Sequence, residues 1–142
     1  MSPSLRGRRA AVAVIFAIIG ATFATWASRL PAIADHLGLS EGQAGIALFG
    51  LALGAFLALP LAGMVATRWG SRRLTRLGLF ISCTALAAIP AAPNLTWLTI
   101  MLGVFGLGNS GVDVGISVES VETERTYGRP ILGGFHALFS LG

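Results

Sequence analysis

The chain has 142 residues, of which 54% are hydrophobic and 11% are charged, and its mean hydropathy is +0.78. Soluble domains carry about 25% charged residues, so this composition excludes an ordinary water-soluble domain and indicates an integral membrane protein. The formal net charge of +4 could suggest a nucleic-acid partner, but the positions of the arginines explain it better. The single cysteine, Cys83, excludes a disulfide within the chain.

Four apolar segments are long enough, or nearly so, to cross a bilayer as helices, which takes about 20 residues. We place them at about 10–28, 40–66, 74–92 and 97–121. A fifth apolar segment, 131–142, would rise only about 18 Å as a helix, against about 30 Å of hydrocarbon. The predicted fold class is therefore an all-α integral membrane bundle with four transmembrane helices and the start of a fifth. We expect the sequence to be a fragment or a truncated product.

Local signals support these boundaries. Ser40 and Gln43 have capping-box spacing and should open the second helix. The prolines and the asparagine of 90–94 should close the third helix. Pro60 lies inside the second helix and predicts a kink. Small residues recur at every fourth position of the second helix and predict close packing against another helix; they are Gly50, Gly54, Ala58 and Ala62.

The arginines are distributed unevenly between the two sides of the membrane. Three lie in the first nine residues, four in 67–76 and two in 122–130, whereas the opposite connections hold only Arg29. Cytoplasmic loops carry an excess of Lys and Arg, so the nine arginines predict a cytoplasmic N-terminus. Topology thus accounts for the positive charge, and no nucleic-acid partner is expected.

Asn109, Asp113 and Ser117 are spaced four residues apart and share one face of the fourth predicted helix, near mid-membrane. A carboxylate at this depth costs about 2.5–3.5 kcal/mol on insertion scales, so it must face water, a partner or the protein interior. One hypothesis is that Asp113 contacts a solute or carries protons in a cavity. The alternative is a fixed hydrogen-bond or ion-pair anchor between helices.

Three further polar or aromatic residues are candidates, each with an alternative. Trp26 either stacks on a solute or lies in the interfacial aromatic belt, and Arg29 either binds an anion or extends to the outer surface. His136, inside the fifth segment, either exchanges protons or donates a hydrogen bond between helices. The two histidines, His36 and His136, lack metal-ligand spacing, so neither a metal nor a cofactor is expected.

Three glutamates lie at the arginine-rich end of the fourth helix, at positions 119, 122 and 124. Arg125 and Arg129 are close in sequence, which favours pairing on the solvated surface. Glu119 is the deepest of the three, and it is the one that merits a test for coupling to transport.

The segment "GMVATRWGSRR" resembles the cytoplasmic signature loop of the major facilitator superfamily, a pattern of the form G-x-L-A-D-R-x-G-R-R. The matching positions that we assign to the loop are Gly63, Arg68, Gly70, Arg72 and Arg73. Thr67 stands where the family usually has an aspartate, which helps a charge network that closes the cytoplasmic side.

Three other segments, "WASRLPAIADHLGLSEGQAG", "GLGNSGVDV" and "YGRPILGGFHALFSLG", are similar to the MosC-type and fucose-permease-like branch. The resemblance implies a transporter of the bacterial inner membrane with twelve helices in two halves, of which the C-terminal half is missing here. It also implies that the first and fourth helices line a central cavity. The expected partners are a small polar solute, the lipid bilayer and, for a coupled transporter, protons.

Secondary active transport by alternating access is thus the favoured function. One alternative is a self-contained four-helix membrane protein such as a small exporter, although the first helix lacks the glutamate of such exporters. Another alternative is an inactive truncated product. An enzyme is not expected, because no nucleophile elbow or metal motif brings Ser, His and Asp together.

Overall fold

The computed structural model describes residues 5–127, with side chains described at position 7 and from 10 to 121. Within this range the chain forms four long helices: α1 (Leu5–His36), α2 (Glu41–Trp69), α3 (Ser71–Ala88) and α4 (Leu95–Tyr127). Each contains an apolar stretch long enough to cross a membrane. The predicted all-α membrane bundle is confirmed. The predicted fifth segment, 131–142, lies outside the described residues.

Helix α1 ends eight residues later than the apolar run suggests, at His36 rather than near Ser28. The helix continues through Pro31, because an internal proline removes only one backbone hydrogen bond from a helix that its neighbours support. Its end is set by Gly38, at a φ of 63°. The Gly38 and Leu39 N–H groups donate back to helix carbonyls at 3.1 and 2.9 Å, as in a Schellman motif.

The start of α2 agrees with the prediction. The Ser40 hydroxyl accepts the Gln43 backbone N–H at 3.3 Å, and the Gln43 side chain accepts the Ser40 N–H at 2.9 Å. The capping box is therefore confirmed. Pro60 lies inside α2, where its kink stays a prediction.

The junction between α2 and α3 is much shorter than the predicted loop at 67–76. Only Gly70 separates the two helices, with a φ of 85° and a ψ of 154°. This backbone conformation is essentially restricted to glycine. The arginines predicted to lie in a loop therefore belong to the last turn of α2 and the first turns of α3.

The connection from α3 to α4 follows the proline and asparagine signals. A short 3₁₀ turn, Ile89–Ala91, carries Pro90 in its first turn. Asn94 then caps α4, its side-chain oxygen accepting the Trp97 N–H at 2.9 Å. Helix α4 extends to Tyr127, six residues beyond the predicted end at position 121.

Helix α4 occupies the centre of the bundle and packs extensively against α2 and α3, whereas α2 and α3 touch each other little. The predicted stripe of small residues on α2 forms the α2 side of this interface, and all four of its members are buried. A side chain at Gly54 would collide with the backbone of Gly103. Gly78 of α3 approaches Gly108 of α4 in a similar way.

Helix α1 packs less tightly, and its contacts form two apolar clusters. At the arginine-rich end, which comprises the start of α1, the α2–α3 junction and the end of α4, Phe16 of α1 packs with Val112 and Ile116 of α4. At the opposite end, Trp26 joins a larger cluster with Leu102 and Phe105 of α4.

Candidate functional site

Asp113 lies on the strip of α4 between its contacts with two other helices. Val112 and Ile116, on one side of this strip, pack against α1. Gly103, on the other side, lies against the backbone of α2 at Gly50. Asp113 itself is exposed. The carboxylate therefore faces outward from the four described helices, at the gap between α1 and α2.

The exposure of Asp113 is local. Gly106 and Ser120, seven residues before and after it on nearly the same face, are both buried. The membrane-spanning part of α4 is Leu95–Val121. Asp113 lies five residues, about 7.5 Å, from its middle toward the arginine-rich end. A carboxylate at this depth is stable only where water or protein covers it.

The predicted shared face of α4 is present. Asn109 and Ser117, one turn on either side of Asp113, are each partly buried. The α4 backbone thus places an amide, a carboxylate and a hydroxyl in a row about 12 Å long. Such a row can donate to and accept from a polar solute, and the carboxylate can also exchange a proton. The two roles proposed for Asp113 from the sequence remain predictions.

Trp26 lies in the core between α1 and α4, at 5% exposure. Its ring makes edge-on contacts with Phe23 and Phe105, at centroid distances of 5.1 and 6.2 Å. The indole N–H is buried and finds no acceptor in the described part of the chain. Phe105 precedes Asp113 by eight residues, about 12 Å along α4, so the structure does not bring Trp26 and Asp113 together.

Arg29 is exposed and lies within α1, not in a connection as the sequence suggested. It follows Ala10, where the membrane-spanning part of α1 begins, by about 28 Å of helix, close to the hydrocarbon thickness of about 30 Å. This position fits an arginine at the far membrane surface. His136 lies outside the described residues, and its predicted role stays a prediction.

The signature-loop residues cluster around the α2–α3 junction. Gly63 and Arg68 lie in the last two turns of α2, Gly70 forms the junction, and Arg72 and Arg73 lie in the first turn of α3. Gly70 has the positive φ that the turn requires, whereas Gly63 is helical and exposed.

Thr67 occupies the position where the family usually has an aspartate. Its hydroxyl donates to carbonyls of its own helix, to Met64 at 2.9 Å and to Gly63 at 3.1 Å. It therefore supplies no charge to the junction.

A carboxylate reaches the junction from a different helix. Arg72 Nη2 lies 3.4 Å from Glu119 Oε1, and the Ser71 hydroxyl donates to Glu119 Oε2 at 3.2 Å. The Glu119 side chain is 17% exposed and the Arg72 side chain 64%. Glu119 thus ties the end of α4 to the start of α3, instead of lying in a solvated surface cluster as the sequence suggested.

Sequence reasoning missed this pair because its members are 47 residues apart. The sequence placed Arg72 among the topology-determining arginines and in the signature loop, and Glu119 near arginines close to it in sequence, so neither pattern predicts that the two residues pair. The available signal was the depth of Glu119, one helical turn inside the other glutamates. A carboxylate at that depth requires a partner from another helix.

Comparisons with known sequences identify related proteins. The Major Facilitator Superfamily pattern matches residues 10–122. The chain is 34% identical over 131 residues to the uncharacterized transporter y4wD of Sinorhizobium fredii, covering 92% of this chain and 35% of that protein. It is 32% identical over 127 residues to an uncharacterized MFS-type transporter of Yersinia pestis, covering 89% and 33%.

A third relative is the membrane protein MosC of Rhizobium meliloti, 30% identical over 132 residues, covering 93% of this chain and 32% of that protein. The chain spans about a third of the length of the curated relatives it matches. The comparison with solved structures found no match. The glycine junction with its arginines, the four apolar helices and the match over most of the sequence lead to one conclusion: the chain belongs to the major facilitator superfamily.

Proposed function

We propose that the protein containing this chain is a secondary active transporter that moves a small polar solute across the bacterial inner membrane by alternating access. The observation that carries the proposal is the exposed carboxylate of Asp113 in the gap between α1 and α2, within a membrane-spanning helix. Asn109 and Ser117, one turn on either side of Asp113, form a polar row with it. Such a row is suited to a water-filled cavity that a second helical bundle completes.

Proton coupling through Asp113 is the form of transport that we propose to test first. The intact protein in liposomes is screened against a panel of small sugars, polyols and organic acids, with uptake driven by an imposed pH gradient. Asp113→Asn keeps the shape of the side chain and removes the titrating group. We expect it to abolish uptake driven by the pH gradient while leaving solute exchange between the two sides, since exchange requires no net proton release.

The matched control is Asp35→Asn, which removes a carboxylate from an exposed position in the last turn of α1. It should leave both uptake and exchange unchanged. Full gradient-driven uptake by Asp113→Asn would refute proton carriage by this residue. Loss of both uptake and exchange would instead assign Asp113 to solute contact. Failure of the intact protein to move any solute of the panel would count against transport of this class.

The proposed orientation, with the N-terminus in the cytoplasm, rests on the nine-to-one distribution of arginines. Two single cysteines in a Cys83→Ala background test it, at Arg68 near the α2–α3 junction and at Ala91 in the 3₁₀ turn, both exposed. A membrane-impermeant maleimide added to spheroplasts should label Ala91→Cys at once and Arg68→Cys only after permeabilisation. The reverse order would refute the orientation.

A further inference from the structure

A groove opens between α1, α3 and α4 at the arginine-rich end of the bundle. Its volume is about 320 Å³, near the lower end of the range for small-molecule sites. It exists because α1 packs less closely against α3 and α4 than these two helices pack against each other. The groove is lined by Gly7, Ala11, Val12 and Ile15 of α1, by Arg72, Thr75, Arg76 and Leu79 of α3, and by Ile116 and Glu119 of α4.

The charged side chains that the structure describes in the groove have a net positive charge. Arg72 and Arg76 contribute two guanidinium groups, and Glu119 contributes one carboxylate. Arg72 bonds to Glu119 yet keeps 64% of its side chain exposed, so its other N–H groups face outward. Arg76 is exposed and has no ion-pair partner among the described side chains. One turn of helix separates the two arginines, so both can reach one anion.

Apart from Thr75, whose hydroxyl donates to the Ser71 carbonyl at 3.0 Å, the rest of the lining is apolar and extends deeper into the membrane. Val12 and Ile116 are buried, and Ile15 and Leu79 are partly buried. From Arg72 to Leu79 is a rise of about 10 Å along α3. The groove therefore passes from arginines at the membrane surface to aliphatic side chains at the level of the hydrocarbon.

We propose that this groove binds an anionic phospholipid, with the phosphate held by Arg72 and Arg76 and the first part of an acyl chain lying against Val12, Ile15 and Leu79. The arginines complement an anionic headgroup, and the aliphatic lining below them complements an acyl chain. Basic pockets between membrane helices bind acidic lipid headgroups. The proposal does not depend on transport. The proposed orientation decides only that the lipid comes from the cytoplasmic leaflet.

The test uses the intact protein in mild detergent, titrated with phosphatidylglycerol or phosphatidylcholine and followed by native mass spectrometry. We expect phosphatidylglycerol to bind more tightly than phosphatidylcholine. Arg76→Gln should weaken phosphatidylglycerol binding about fivefold, the contribution of one basic residue near a membrane surface. Arg73→Gln is the matched control, because Arg73 is exposed and adjacent but does not line the groove. It should change binding less than about twofold.

A second pair of variants tests the groove without changing charge. Ala11→Phe fills the groove and should abolish retention of the lipid, whereas Ala10→Phe adds the same ring at an exposed position outside it. Equal losses in Arg76→Gln and Arg73→Gln would show general surface attraction and overturn the proposal. Equal affinity for the two lipids, no effect of Ala11→Phe, or displacement of the lipid by millimolar inorganic phosphate would also overturn it.

Discussion

The close approach of α2 and α4 at Gly54 can be tested by adding a single methyl group. In Gly54→Ala the new Cβ would lie 2.6 Å from the carbonyl carbon of Gly103 and 2.9 Å from its Cα, and closer still to its carbonyl oxygen. Optimal carbon–carbon separations are about 3.5–4.0 Å. The two backbones must therefore separate locally by about 1 Å, because the obstructing atoms are backbone atoms and cannot rotate away.

Gly63→Ala supplies the matched control. Gly63 lies on the same helix, and a Cβ there meets no atom within 4 Å. Both substitutions gain the helix propensity of alanine over glycine, about 0.8–1 kcal/mol. The difference between their free energies of unfolding is therefore the steric cost of the added methyl group at Gly54. Overpacking costs about 1–3 kcal/mol, so we expect Gly54→Ala to be less stable than Gly63→Ala by that amount.

The assay is reversible unfolding of the intact protein in mixed micelles of increasing SDS fraction, followed by far-UV circular dichroism. The free energy of unfolding should be about 1–3 kcal/mol lower in Gly54→Ala than in Gly63→Ala, where it should hold or rise. Equal stability of the two variants would refute the backbone contact between α2 and α4 at this level of the bundle.

Three other predictions use the same unfolding assay. Gly70→Ala should cost about 1–3 kcal/mol, since alanine is strained at the junction's positive φ, whereas unchanged stability would mean that the junction is not built this way. Ser40→Ala should cost about 1 kcal/mol by removing the acceptor of the Gln43 N–H, and an undiminished free energy of unfolding would contradict the capping box. A double-mutant cycle of Arg72→Gln and Glu119→Gln should give a coupling energy of about 0.2–1 kcal/mol that shrinks at high salt; zero coupling at low salt would count against the pair.

The parts of the fold that depend on local hydrogen bonding could be predicted from the sequence. Ser40 and Gln43 identify the start of α2, because this cap is completed within four residues. Asn94 was used only to predict the end of the third helix, whereas its side chain caps α4. The small-residue stripe of α2 was also readable, since a period of four residues places its members on one face.

The end of α1 and the α2–α3 junction were predicted wrongly for a common reason. Hydrophobicity reports where the chain crosses lipid, but a helix ends where its last carbonyls find other donors. Gly38 and Gly70 provide those ends, at positions beyond the apolar runs. A membrane helix can extend into the aqueous phase until such a residue occurs.

In the candidate site, too, some features follow from local sequence patterns and others depend on how the helices pack. The depth of Asp113 and the face that it shares with Asn109 follow from helical periodicity alone. The exposure of Asp113 between two buried positions depends on how α1 and α2 pack against α4, which no local pattern encodes. The pairing of Glu119 with Arg72 likewise depends on the packing of α4 against α3.

The central position of α4 determines the order in which the bundle can assemble. Helices α2 and α3 leave the ribosome before α4, yet each packs mainly against α4 and little against the other. Until α4 is inserted, the small-residue face of α2 around Gly54 lies open to the lipid. Membrane helices associate through faces that are rich in small residues, so this face is available to pair with helices of other proteins. A ribosome that stalls after α3 therefore holds a chain whose small-residue face is available for mispairing, and insertion of α4 covers that face.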